Sequence, residues 1–546
     1  MNQQFVPKLF SLVKSGISAK QIIIDIQSGV LVGIIALPLA LAFAIASGVS
    51  PERGIITAIV AGFVISFLGG SRVQIGGPTG AFIVLVFSIN AQYGITGLLT
   101  ATAMAGIMLI IMGALRMGDL LKYIPYNLIA GFTGAIALII FSTQMKNFFG
   151  MQIDDLPAEF AGQWISYLKH LSTINIYSAS IGIMTICLIL LVRKKIPRIP
   201  GALVCVIFFT SIVYLLKIPV ETIGSRYGEI SGSIGLEGLT VPSTEMIKAL
   251  LLPSLSIALL GALESLLSAV VADGLIGSGH RSNIELIAQG VANLASALFG
   301  GIPATGAIAR TAANIKNGGR TPIAGIVHAL VLLLMLLFLA PLAGYIPLAV
   351  LAGILVVVAY DMSDIQSFKM ICKTNKSEIS VLFVTFFLTL FFDLTVAIIA
   401  SFILAVILFM KRMASSLDIL PIMSQKEEDS LFTAEFGEID SRIAVFEMNG
   451  PLFFGSVAEL LGVERWIGSK HKVIVLRMRY VPIIDSTGIM RLKALRKLIA
   501  DKEAVLIISG VNSSIKKILL KNEVVGKSEL FDDIKAALKK ANSMLR

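Results

Sequence analysis

Long runs of residues without Asp, Glu, Lys or Arg alternate with short polar stretches over most of the chain. A helix needs about 20 apolar residues to cross the hydrocarbon of a bilayer, so most runs can hold one or two spans. Pro and Gly divide the longest runs. The runs are 26–51, 54–71, 73–115, 123–145, 171–192, 199–216, 249–272 (interrupted by Glu264), 286–309, 321–360, 379–392 and 394–410. The pattern predicts about fourteen membrane segments.

Positive charges collect in alternate loops between these segments. Arg116, the cluster at 193–198, Arg281, Lys411 and Arg412 all fall on one side, and the other side holds fewer Lys and Arg residues. Loops rich in Lys and Arg stay in the cytoplasm. With an even number of segments, the sequence predicts a multi-pass protein of the cytoplasmic (inner) membrane with both termini in the cytoplasm.

The pattern changes after the last apolar run. Strand-like runs at 442–450, 472–481 and 504–511 alternate with charged stretches of helical character, which predicts a small α/β domain. A helix follows the loop PIIDSTG, and Asp485, Ser486 or Thr487 is placed to cap it. The predicted division is a cytoplasmic N-terminal segment 1–21, a transmembrane domain 22–412 with repeats at about 22–217 and 250–412, a linker 413–435 and the α/β domain 436–546.

One phrase occurs twice in the apolar region. IVAGFVISFLGG at 59–70 precedes GGPTGA, and GVANLASALFGG at 290–301 precedes IPATGA, so Thr79 and Thr305 correspond. Short segments interrupted by Gly and Pro at matching places in two halves indicate broken helices that meet at the midplane of a transporter. Free N–H groups at helix N-termini suit an anion. The alternative is that these small residues only permit close helix packing.

Two charged residues lie inside or beside the predicted spans. Glu264 stands near the middle of an apolar run, where a lone carboxylate is costly and usually functional. Arg310 follows the second phrase by three residues, so its guanidinium is placed to add positive charge for an anion. Glu264 would then handle a coupling proton or sodium ion. A structural ion pair between Glu264 and Arg310 is the alternative.

Composition narrows the class of protein further. Hydrophobic residues make up 56% of the chain and charged residues 14%, whereas soluble domains have about 25% charged residues. The net charge of +11 comes without a basic stripe interleaved with aromatic residues, so membrane lipid rather than nucleic acid is the expected partner. The three cysteines have no metal-type spacing. Without a nucleophile–base pair or a phosphate loop, neither an enzyme, a metal nor a cofactor is predicted.

Several motifs together resemble the sulfate permease (SulP) family, which includes bicarbonate and dicarboxylate carriers. They are GIIALPLALAFAIASGVSP, GGPTGAF, ALESLLSAVVAD, LFGGIPATGAIART, NGGRTPIAG and, in the α/β domain, the IIDSTG of a STAS-like domain. The resemblance implies an all-α membrane domain built as a seven-plus-seven inverted repeat with two short broken helices, followed by a small cytoplasmic α/β STAS-like domain. It also implies a homodimer and an elevator-like motion.

The resemblance also assigns roles to residues. An anion would lie against both half-helix N-termini, Glu264 would be the coupling residue, and Ser486 would be a possible phosphorylation site beside a cytoplasmic regulator. Sodium-coupled members have an Asp with a Thr four positions later, and this chain has Glu264 and Ser268, which favours a proton. The expected anion site consists of Thr79, Gly80, Ala81, Thr305, Gly306, Ala307 and Arg310.

We therefore expect a secondary active transporter that moves a small anion, with sulfate favoured, by proton or sodium symport and alternating access. A bicarbonate or dicarboxylate carrier remains open, because backbone dipoles recognise charge and size rather than one oxyanion. An uncoupled anion channel and a membrane-anchored sensor also remain open.

Overall fold

The structure is a computed structural model that forms two compact units, Met1–Phe402 and Ile403–Arg546. It describes residues 5–119, 125–153, 156–157, 159–196, 199–230, 232–237, 242–392, 394–422, 439–456, 460 and 470–546. The predicted boundary at 412 between the membrane domain and the linker lies within the last apolar helix, Leu394–Ala414.

The first unit is almost entirely helical. Its helices, with the last one continuing into the second unit, are α1 (Lys8–Ser15), α2 (Ala19–Ala46), α3 (Pro51–Leu68), α4 (Ile83–Ala114), α5 (Tyr126–Phe149), α6 (Phe160–Lys169), α7 (Ile176–Lys195), α8 (Gly201–Leu216), α9 (Ile223–Tyr227), α10 (Thr244–Ile276), α11 (Ser282–Leu298), α12 (Ile308–Lys316), α13 (Ile323–Ala343), α14 (Leu348–Met362), α15 (Ile365–Ile371), α16 (Lys376–Phe391) and α17 (Leu394–Ala414). Two very short strands, β1 (Gly76–Gly77) and β2 (Thr305–Gly306), interrupt them.

Nine helices in the described part of the chain are long and apolar enough to cross a membrane, and α8 is a shorter apolar helix. At Gly94, where φ is 65° and ψ is −174°, α4 is divided into two helices, so a glycine divides the long apolar run 73–115. With this division the first repeat contributes α2, α3, both parts of α4, α5, α7 and α8, and the second α10, α11, α12, α13, α14, α16 and α17. In the described part of the chain the predicted seven-plus-seven arrangement corresponds to fourteen helical segments of unequal length, of which α12 is amphipathic rather than apolar.

Glycines allow helices of the two repeats to touch backbone to backbone. A Cβ added to Gly106 of α4 would lie 2.7 Å from the Gly290 oxygen, and one added to Gly290 of α11 would lie 2.5 Å from the Gly106 oxygen. Between α2 and α13, a Cβ on Gly29 would lie 2.4 Å from the Ala324 oxygen. In lipid no hydrophobic driving force holds helices together, so they associate through close van der Waals packing, which small residues at such crossings permit.

The second unit contains a five-stranded sheet in the order β3-β4-β5-β6-β7. The strands are β3 (Asp418–Ile422), β4 (Ile443–Asn449), β5 (Val473–Tyr480), β6 (Val505–Ser509) and β7 (Leu530–Phe531), and the helices are α18 (Ser486–Asp501), α19 (Ser513–Lys521) and α20 (Ile534–Leu545). β3 runs antiparallel to β4, and the other neighbours are parallel.

The sheet begins earlier in the chain than the sequence predicts. β3 lies in the segment predicted as a linker, 413–435, and pairs with β4 from Asp418↔Asn449 to Ile422↔Val445. Its sequence, DILPI, is only five residues long and contains a proline, which a strand tolerates at a sheet edge. So short a run with a proline does not predict a strand. Residues 423–435 of the predicted linker lie outside the described part of the chain.

We expect Gly290→Ala to destabilise the membrane domain. The new methyl group would meet the Gly106 oxygen and the Ile110 backbone nitrogen at 2.5 and 2.8 Å, and such overpacking costs about 1–3 kcal/mol. The measurement is thermal unfolding in detergent. Gly274→Ala is the matched control, because it lies in α10 with no atom within 4 Å of the added carbon, and its melting temperature should not fall. Equal melting temperatures for the two variants would contradict the close crossing.

Candidate functional site

The two interrupted helices meet through their backbones. β1 and β2 are antiparallel, with Gly76 opposite Gly306 and Gly77 opposite Thr305. After β1 a 3₁₀ turn begins at Gly80 and continues into α4, and after β2 Ala307 precedes α12. No side chain caps either of these two described turns, so their first N–H groups are available to a ligand. The pairing places two helix N-termini at one site.

Glycine is required on both strands of this crossing. A Cβ on Gly77, where φ is +150°, would lie 2.2 Å from the Arg310 Nη1 atom. A Cβ on Gly306 would lie 1.5 Å from the Gln74 Nε2 atom. These two glycines therefore leave room for polar side chains beside the breaks.

A cavity of about 400 Å³ lies against both helix N-termini. Thr79 and Gly80 border it from the first repeat, and Glu264 and the start of α12 border it from the second. Phe43 of α2 contributes an apolar wall. The residues that extend the cavity away from the breaks include Tyr126, Thr133, Asp361, Met362 and Asp364. Sequence reasoning missed this extension because its residues carry no internal repeat.

Glu264 and Arg310 do not pair with each other. Thr79 Oγ1 donates a hydrogen bond of 2.9 Å to Glu264 Oε2. Arg310 donates to the Gly76 oxygen at 3.4 Å and to the Pro78 oxygen. Both residues lie in the described part of the chain and have other partners. The alternative of an ion pair between Glu264 and Arg310 is therefore wrong. Carbonyl groups satisfy the guanidinium without cancelling its charge.

Arg310 connects the two repeats. It belongs to α12 of the second repeat, is 3% exposed, and holds two carbonyls of the first break. A guanidinium can bond several acceptors in one plane, which an ammonium cannot do. Arg310 therefore fixes the first break and keeps a positive charge at the cavity wall, where it is also a lining residue.

Four residues of the predicted site do not border the cavity in the described part of the chain. Thr305 is fully buried in β2, and its hydroxyl donates to the Gly261 oxygen at 2.9 Å. Gly306 pairs with Gly76, and Ala81 is buried within the 3₁₀ turn. Ser268 is buried, with its hydroxyl 3.4 Å from Thr311 Oγ1. Of the predicted residues, Thr79, Gly80, Ala307, Arg310 and Glu264 border it.

The corresponding threonines differ because the strands fall at different places in the two phrases. In GGPTGA the strand is Gly76–Gly77, and Thr79 follows it. In IPATGA the strand is Thr305–Gly306, so the threonine belongs to the ladder. Consequently α12 starts two residues later within its phrase than the 3₁₀ turn does. The two corresponding threonines therefore occupy different structural positions, Thr79 at the cavity and Thr305 in β2.

Two further buried groups hold the breaks in place. Glu285 of α11 accepts the Gly70 and Ser71 N–H groups at 2.7 and 3.0 Å with one carboxylate oxygen. Thr57 of α3 accepts the Ile302 N–H at 2.7 Å. Each break is thus held by the helix of the other repeat. Glu285 was missed because it stands at the polar edge of an apolar run and reads as a loop residue.

The loop of the α/β unit has a simple local structure. Asp485 caps α18, because Oδ1 accepts the Gly488 N–H at 2.8 Å, and Oδ2 accepts the Phe454 N–H at 3.0 Å. Ser486 is the first residue of α18 and is exposed. Of the three candidate caps, Asp485 makes the bond, and Ser486 is left accessible.

Comparison with protein families covers both units. Residues 22–385 match the Sulfate permease family, and residues 438–537 match the STAS domain. The chain belongs to the sulfate permease family. Its members are transporters, so the prediction of a membrane transporter rather than an enzyme is confirmed, as is the STAS domain.

Relatives in the sulfate permease family match almost the whole chain. "Putative sulfate transporter YvdB" of Bacillus subtilis (strain 168) is 39% identical over 93% of this chain and 96% of its own length. "Bicarbonate transporter BicA" of Picosynechococcus sp. is 32% identical over 91% of this chain and 90% of its own.

Solved structures show the same fold. The transmembrane domain of a cyanobacterial bicarbonate transporter BicA has a TM-score of 0.63 and 31% identity, covering 71% of this chain and 98% of its own. Murine Slc26a9, an anion transporter solved in its inward-facing state, has a TM-score of 0.86 and 18% identity, covering 99% and 94%. At that identity the second match shows the fold alone.

We expect Arg310→Lys to raise the apparent KM for the transported anion about tenfold. The lysine keeps the charge but cannot hold both carbonyls of the first break, and hydrogen bonds of a charged group contribute about 1.5–3 kcal/mol. Uptake into proteoliposomes measures the effect. Arg226→Lys is the control, since Arg226 is half-exposed and pairs with Glu221 at 3.1 Å, away from the cavity. A wild-type KM in Arg310→Lys would contradict the bridging role.

Proposed function

We propose that this protein is a secondary active transporter that moves a small oxyanion, with sulfate favoured, across the cytoplasmic membrane. The observation that carries the proposal is the cavity into which two helix N-termini, the Thr79 hydroxyl and the Arg310 charge converge. Free N–H groups and a guanidinium recognise a compact anion with several acceptor oxygens. The names of relatives support sulfate first and bicarbonate second.

The carboxylate of Glu264 supports coupling. It borders the same cavity as the anion donors, so an ionised Glu264 would repel the anion at short range. A proton or a cation on Glu264 removes this repulsion, so both would bind together with the anion. We favour a proton, because the Ser268 hydroxyl lies toward Thr311 and away from the cavity, leaving fewer oxygens for sodium.

The position of the cavity supports alternating access. From the breaks it extends to Tyr126, Asp361 and Asp364, and Arg193 of the basic cluster pairs with Asp361 at 2.9 Å. Loops rich in Lys and Arg favour the cytoplasm, so we infer an inward-open state with both termini in the cytoplasm. Transport then requires a second arrangement in which the breaks face outward.

We further propose a homodimer whose STAS domains bind a cytoplasmic regulator, with Ser486 as a phosphorylation site. An exposed serine at the first position of a helix accepts a phosphate favourably, since its negative charge meets the positive helix end. Asp485 beside it opposes that gain by repulsion. Phosphorylation would therefore compete with the cap on Gly488.

Uptake of labelled sulfate, bicarbonate and fumarate into proteoliposomes tests the function. The wild type should accumulate one anion when a proton or sodium gradient is imposed. Glu264→Gln keeps the shape of the side chain and its hydrogen bond from Thr79, but removes the titratable charge. It should therefore retain anion exchange and lose the dependence on the gradient. Glu245→Gln, at an exposed position of the same helix, should behave as the wild type.

The outcomes separate the alternatives. A proton dependence lost in Glu264→Gln supports proton symport, and a sodium dependence lost there supports sodium symport. Rapid uptake that never exceeds equilibrium would indicate an uncoupled channel. Absence of uptake of all three anions by the wild type would contradict the transporter and favour a sensor.

A further inference from the structure

Each broken helix is covered by the chain segment that precedes its own repeat. We name residues 5–15 the first strap and residues 232–237 the second strap. The Lys8 N–H of the first strap donates to the Gly69 oxygen at 2.9 Å. The Glu237 N–H of the second strap donates to the Leu298 oxygen at 3.1 Å. Both straps therefore contact the C-terminal end of the helix that precedes a break.

The two straps overlap by two residues when the repeats are aligned, because residues 5–6 correspond to 236–237. The register that aligns residues 59–70 with 290–301 also aligns Val6 with Glu237. Val6 and Glu237 therefore lie at equivalent points of the two repeats, and the inversion of the repeats places them at opposite ends of the helix bundle.

An arginine from the other repeat fastens each strap. Arg281, just before α11, donates through Nη1 to the Val6 oxygen at 2.5 Å and to Ser11 Oγ at 2.8 Å, and its own N–H donates to the Gly70 oxygen at 3.1 Å. Burial, with the charges of Arg281 and Arg72, lowers the pKa of Lys8 in the same strap. The first break, its strap and the second repeat are therefore joined at one residue.

Arg53 of α3 does the same at the second break. Its two terminal nitrogens each lie 2.9 Å from a carboxylate oxygen of Glu237, and Nη1 donates to the Gly300 oxygen at 2.5 Å. Gly300 has a φ of +75°, and a Cβ there would lie 2.5 Å from the Glu237 carboxyl carbon. The glycine is needed both for its backbone conformation and for the approach of the strap.

We propose that the two straps are paired clamps on the breaks, and that Arg53 and Arg281 are positioning residues for the anion site. The Arg53 side chain acts on the Gly300 carbonyl directly, and the Arg281 side chain acts through the first strap, whose Lys8 N–H holds the Gly69 carbonyl. These glycines precede β1 and β2 and so set where the helix N-termini point. The proposal rests on the function proposed above. Because the straps touch the helices that carry the breaks, loosening a clamp should weaken anion binding more than it slows the maximum rate of transport.

Transport kinetics give the first test. Arg53→Gln removes both the ion pair and the bond to Gly300, and we expect its KM to rise about three- to tenfold, as for one or two ordinary hydrogen bonds. Glu237→Gln removes the ion pair only and should raise KM less. Glu221→Gln is the control, because Glu221 forms a comparable exposed pair with Arg226 elsewhere. Equal KM values for Arg53→Gln, Glu221→Gln and the wild type would overturn the proposal.

Hydrogen–deuterium exchange gives a second test that needs no substrate. Arg53→Gln should speed amide exchange at 300–306 and leave 69–75 unchanged, and Arg281→Gln should do the reverse. Unchanged exchange at both breaks, or a uniform increase throughout the protein, would overturn the clamps. If the wild type transports no anion while exchange changes as expected, the function proposed above fails and the clamps stand.

Discussion

Two helices that stop inside the membrane leave backbone donors and acceptors without partners, and lipid offers none. The structure meets this constraint with the antiparallel contact between β1 and β2 and with side chains from the opposite repeat. Backbone groups left over at the two helix starts face one cavity. The candidate anion site is thus formed by the groups that remain after the breaks have been stabilised.

Much of this site is encoded by local sequence, and some is not. The repeated phrase and the isolated Glu264 predict where the helices break and which carboxylate lies nearby, because both are contrasts within an apolar background. The phrase cannot predict that Thr79 and Thr305 differ, since that depends on where each strand pairs. Nor can it predict that Arg310 donates to carbonyl oxygens and not to Glu264, because a long side chain can reach either partner.

The membrane fold is predictable for a related reason. The length of the apolar runs predicts the number of helices. The break in α4 lies at Gly94, whose backbone conformation is one that other residues avoid. The sequence does not predict which polar residues at the ends of apolar runs are buried. Asp25 has no exposed surface and accepts hydrogen bonds from Arg320 N and Thr321 Oγ1 at 2.7 and 2.6 Å. In the sequence it stands directly before the first apolar run. Such residues are recognised by their partners, which are distant in sequence.

The contact between Gly106 and Gly290 has a consequence for how the protein is made. Gly106 belongs to the first repeat and Gly290 to the second, so α4 enters the membrane long before the ribosome has produced α11. Because synthesis proceeds from the N-terminus, the first repeat must wait with a bare glycine face and an unpaired break. Each half completes its helix packing only against the other, as α4 does against α11 and α2 against α13. Assembly is therefore a late event, in which the first half remains open until the second half has been inserted.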